Sequence, residues 1–90
     1  MLRLVEKREY AGGIGFRLIY EAERDLLLPR EESEGIFAPR GRRVEVSVLK
    51  TAPDHGGPEV ALLYQGAFLR VERGVEDPEA LLKEVREVEG

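Results

Sequence analysis

Residues 43–64, RVEVSVLKTAPDHGGPEVALLY, hold two runs of alternating apolar side chains around a centre rich in proline and glycine. Val44, Val46 and Val48 alternate with Arg43, Glu45 and Ser47, and Val60, Leu62 and Tyr64 resume the series beyond the break. A period of two marks a strand with one buried face. Centring the turn on Asp54 sets Val48 against Val60, Val46 against Leu62 and Val44 against Tyr64, which keeps both apolar series on one side of a sheet. The stretch TAPDHGGPE (51–59) is then a hairpin tip. Its proline, aspartate and paired glycines supply turn geometry, and His55, the only histidine in the chain, is a passenger there.

Upstream, Tyr10, Ile14, Phe16, Leu18, Tyr20 and Ala22 fall on even positions while Arg17, Glu21 and Glu23 fall on odd ones. Leu2 and Leu4 extend the even series, and Ala11-Gly12-Gly13 interrupts it. The pattern predicts a hairpin with an odd-length loop and a glycine at positive φ, pairing Tyr10 with Phe16, Glu9 with Arg17 and Leu4 with Ala22. A two-residue turn would oppose Arg8 to Arg17 and Lys7 to Leu18, a poorer match. Downstream, AFLRVER (67–73) reads as a fifth strand or as a continuation past a bulge at Gly66. Near the C-terminus Asp77 suits an N-cap and Pro78 the first helical turn, and Leu81, Leu82, Val85 and Val88 form a helical stripe able to cover a sheet face. Residues 24–42 are irregular and read as a long surface loop pinned by Ile36 and Phe37.

The expected fold is therefore α+β: residues 1–90 as one small two-layer domain, with an antiparallel sheet of four or five strands and one C-terminal helix packed on a face. Apolar residues make up 42% of the chain, enough for a core, and no apolar run approaches a membrane span. The start, MLRLVEKREY, alternates and carries charge, unlike a signal peptide. The chain has no cysteine, which fits a cytoplasmic protein. Arginine outnumbers lysine 11 to 3 and glutamate outnumbers aspartate 15 to 3, with no asparagine, a pattern of thermostable proteins.

The chemistry the residues permit is narrow. Zinc takes three or four nitrogen, sulfur or oxygen ligands, and the chain offers one histidine and no cysteine. Ser33, Ser47 and Thr51 are the only hydroxyl nucleophiles of their kind, and none sits in a G-x-S-x-G context. Gly12, Gly13 and Gly15 precede a strand rather than a helix, so they read as a turn and not as a phosphate loop. No cofactor or metal is implied, and an enzyme built on Asp54 and His55 is the least favoured reading. Arg40, Arg42 and Arg43 form the one concentrated basic stretch, a candidate contact for an anion or nucleic acid, balanced by Glu31, Glu32 and Glu34. Leu26, Leu27 and Leu28 exceed what loop anchoring needs; contact with the core is the plainer reading, and self-association is the alternative. The net charge of −4 argues against a dedicated nucleic-acid binder. These features favour a non-enzymatic interaction or regulatory module that forms a homo-oligomer, with a protein partner or nucleic acid as the alternatives.

Overall fold

The computed structural model describes residues 1–31 and 35–88. Its elements are β1 (Leu2–Glu9), a 3-10 turn (Ala11–Gly13), β2 (Gly15–Ala22), β3 (Leu26–Leu28), β4 (Ile36–Ala38), β5 (Arg43–Leu49), β6 (Glu59–Tyr64), β7 (Ala67–Arg73), α1 (Glu79–Leu82) and β8 (Arg86–Glu87). They form a five-stranded sheet in the order β1-β2-β5-β6-β7 and a three-stranded sheet in the order β4-β3-β8, antiparallel at every described pair.

The β5–β6 hairpin has the register its alternation predicts, with Val48 opposite Val60 and Val46 opposite Leu62. Residues 67–73 form a separate strand rather than a continuation of β6. Gln65 and Gly66 turn the chain with φ of 52° and 80°, the positive-φ pair that a tight hairpin requires.

The β1–β2 hairpin departs from expectation. Gly12 and Gly13 do adopt positive φ, but the connection from Tyr10 to Gly15 spans four residues, and Glu9 faces Phe16 while Arg8 faces Arg17. A bulge between Leu4 and Glu6 then resets the pairing to Leu4 with Tyr20 and Leu2 with Ala22. The Arg8–Arg17 opposition is tolerated because each guanidinium has its own partner, Glu6 for Arg8 and Glu45 for Arg17. Gly15 is required by contact: a Cβ there would collide with the Val48 carbonyl oxygen of the neighbouring strand.

Two further expectations are corrected. The stretch 24–42 is not a surface loop throughout, because it contains β3 and β4. Leu26, Leu28 and Ala38 alternate inward and are wholly buried. Glu32, Ser33 and Glu34 lie outside the described residues. The C-terminal helix is a single turn of four residues, so the second layer is mainly the small sheet. Asp77 does cap it, accepting a hydrogen bond from the Glu79 N–H at 3.0 Å. Leu81, Leu82 and Val85 are buried, but the chain then extends into β8, which pairs with Leu26 and Leu27, and leaves Val88 exposed.

One core joins the two layers. Leu18, Val44, Val46, Val48, Val60 and Leu62 of the large sheet meet Leu26, Leu28 and Ala38 of the small sheet and Leu81, Leu82 and Val85 around α1. Each wholly buried leucine or valine contributes roughly 1.5–3 kcal/mol through removal from water. All of this core lies on one side of the five-stranded sheet.

Candidate functional site

The other side of the large sheet is covered by no strand or helix among the described residues, although Ile19, Ser47, Ala61 and Leu63 on it are buried among neighbouring side chains. Its side chains stand in cross-strand rows set by the pairing. Arg3, Glu21 and Arg43 make one row, and Glu6, Ile19, Glu45, Leu63 and Phe68 the next. Arg8, Arg17, Ser47, Ala61 and Val71 form the third, followed by Gly15, Leu49, Glu59 and Arg73. The β1, β2 and β5 part of this face is mostly charged, and the β6 and β7 part is apolar.

Phe68 is the residue the alternation misplaces. Even positions of β6 point into the core, and continuing that parity through β7 would bury Phe68. The two-residue Gln65-Gly66 turn sets Tyr64 opposite Ala67 and Leu63 opposite Phe68, so Phe68 shares the outward face of Leu63. A bulge beyond it, where Leu62 faces Arg70, lets Leu69 enter the core and returns Val71 to the outer face. Phe68 is 65% exposed. Nothing in AFLRVER announces the bulge, because the inserted residue is not a glycine.

The charged half is largely neutralised. Arg3 pairs with Glu21 at 2.6 Å, Arg17 with Glu45 at 3.2 Å, and Arg8 with Glu6. Arg17 also donates from Nε to the Tyr10 hydroxyl at 3.1 Å, and that hydroxyl shares a 2.7 Å hydrogen bond with Ser47 Oγ. The bond to Tyr10, with help from Glu45, holds the Arg17 guanidinium above its ordinary pKa. Arg8 holds the Glu6 carboxyl below its usual range, chiefly by hydrogen bonding, with a smaller pull from Arg43. Among the described residues Arg43 makes no ion pair within 4.0 Å, which sets it apart from the other arginines on this face.

The three arginines of PRGRR do not act together. Arg43 belongs to the outer face, while Arg40 lines a cleft of about 850 Å³ on the side of Met1, Glu23, Arg24, Asp25 and Glu87. Asp25 is engaged there by the Arg40 backbone N–H at 2.9 Å. Carboxylates balance the cations in that cleft, which removes the simple anion-binding geometry the sequence suggests. Of the leucine run, Leu26 and Leu28 are wholly buried in the core, the plainer of the two readings, and Leu27 faces outward opposite the exposed Phe37.

His55 has a defined place in its turn. The Gly57 N–H donates to Nδ1 at 3.3 Å, which leaves Nε2 to donate to Glu59 at 3.2 Å. Asp54, His55 and Glu59 bring three potential ligand atoms within 4.8 Å of one another. The three already bond within the chain, since Arg73 pairs with Asp54 at 3.2 Å and lies 3.8 Å from Glu59, and His55 Nε2 donates to Glu59. The cluster therefore fastens the 51–59 turn to β7. Beside it a groove of about 440 Å³ is lined by Phe68, Val71, Glu31, Asp54, Glu59 and Arg73.

No family model, curated protein or solved structure matches this chain. The site thus rests on its own geometry. Among the described residues no helix is long and apolar enough to cross a membrane. Every buried side-chain nitrogen and oxygen among them has a hydrogen-bond partner.

Proposed function

We propose that the protein is a non-enzymatic interaction module that associates with a second copy of itself through the outer face of the five-stranded sheet. Phe68 carries this reading. The tight β6–β7 turn presents Phe68 to solvent beside Val71 and the already buried Leu63 and Ala61, on a face that no strand or helix of the described chain covers. Aromatic anchors of this kind dominate the centres of protein interfaces. By ideal sheet spacings the face measures about 24 by 20 Å, a footprint in keeping with a small specific interface once its rim is included. The pairing of Arg3, Arg8 and Arg17 with carboxylates lowers the cost of removing them from water and leaves little free positive charge for phosphate. Nucleic-acid or anion binding through Arg40, Arg42 and Arg43 draws less support, because Arg40 and Arg43 serve different surfaces.

Light scattering coupled to size exclusion tests the reading. The wild-type chain is expected to elute as a dimer, and Phe68→Glu to weaken the dimer by roughly thirtyfold or more while circular dichroism stays unchanged. A wild-type chain that remains monomeric over a wide concentration range overturns it.

A further inference from the structure

We infer that Arg43 of each copy lodges in the groove beside Phe68 of the other, an inference that rests on the outer-face dimer. The groove has an apolar floor, Phe68 and Val71, and walls carrying Glu31, Asp54 and Glu59 against the single cation Arg73. Three carboxylates and one guanidinium leave two formal negative charges beside an exposed aromatic ring. That combination suits a guanidinium, which can stack on the ring while hydrogen-bonding to a carboxylate. Glu31 is the carboxylate most available for it. Its side chain accepts only a long 3.5 Å bond from the Val71 N–H, and it makes no ion pair among the described residues.

The cation that fits is on the same face. Arg3, Arg8, Arg17 and Arg73 are already paired with carboxylates, and Arg43 is not. The register also sets the distances. Arg43 lies on β5, two residues before Glu45, and Val71 lies two strands away, opposite Ala61 and in the row of Ser47. With strands about 4.8 Å apart and same-face neighbours about 6.8 Å apart, Arg43 and Val71 are separated by roughly 17 Å, and Leu63 falls at the midpoint. A two-fold axis in the plane of the interface through Leu63 therefore places both Arg43 side chains over both grooves at once. The same axis sets Leu63 against its own copy and brings both Phe68 rings close to it at the centre. The two sheets then cross at about 70°, near the orthogonal class of sheet packing. A self-complementary contact of this kind is what a closed dimer requires.

Charge exchange tests the contact. Arg43→Glu places a carboxylate against an acidic groove and is expected to weaken the dimer by about tenfold or more, as is Glu31→Arg to a smaller degree. The double variant Arg43→Glu with Glu31→Arg is expected to regain most of the lost affinity, which a merely structural role for either residue would not produce. Circular dichroism checks that both exposed substitutions leave the fold intact. If Arg43→Glu dimerises as the wild type does, or the double variant fails to recover, the Arg43 contact is wrong. The dimer reading survives that outcome as long as Phe68→Glu still dissociates the wild-type dimer. A monomeric wild type removes both.

Discussion

Tyr20 puts a titratable group where water is scarce. It stands on the inner face of β2 against the core, and burial, aided by the nearby Glu79, pushes its phenol above the ordinary value. The native state therefore holds this proton more tightly than the unfolded chain does. The associated stability is complete below the unfolded pKa of about 10 and is lost as pH rises through and beyond it. Urea midpoints of the wild type are expected to fall across that alkaline range, and those of Tyr20→Phe to fall less steeply. Equal slopes would remove this role. Tyr20 was legible in the sequence because strict alternation carries it inward with Leu18 and Ala22. Phe68 was not. Side-chain parity carries across a hairpin only when the loop has an odd number of residues, and the two-residue Gln65-Gly66 turn reverses it, so Phe68 follows Leu63 outward. The residue that matters most to the proposed function is thus the one whose orientation the pattern gets wrong.

The elements divide by how much pairing they need from afar. The β5–β6 hairpin is local, and its register follows from matching two valine-rich runs across one turn. The strands β3 and β4 are three residues each, cut off by Pro29 and Pro39 and too short for alternation to stand out, and they become strands only by pairing with each other and, for β3, with β8. The same demand ends the helix early. After Leu81, Leu82 and Val85 have reached the core, strand pairing with β3 satisfies the backbone of Arg86 and Glu87 where further helix would not. Leu28→Ala separates the core role from the self-association role first suggested for this leucine run. Truncating a wholly buried leucine is expected to lower stability by about 2–5 kcal/mol in urea unfolding and to leave the oligomeric state of the folded protein unchanged. Dissociation without loss of monomer stability would reverse that assignment.

In the molecule as a whole, one face of the large sheet carries the second layer and the other bears no further strand or helix among the described residues. If that outer face binds a second copy, folding and association are linked, and the melting temperature rises with protein concentration. Differential scanning calorimetry at a low and a high concentration is expected to show that rise in the wild type and not in Phe68→Glu; a concentration-independent melt in the wild type would count against association. The amino-acid sequence by itself determined the antiparallel character of the large sheet, the β5–β6 register, the positive-φ glycines of the first turn and the capping role of Asp77. These depend on near neighbours: alternation, turn chemistry and one side chain reaching one N–H. Only the tertiary structure decided that residues 24–42 build two of the three strands of a second sheet, that Arg40 and Arg43 part company, that His55 ties its turn to Glu59, and that Phe68 faces solvent. Each of those depends on which distant strands pair or on how a turn sets the register, and alternation alone carries no record of either.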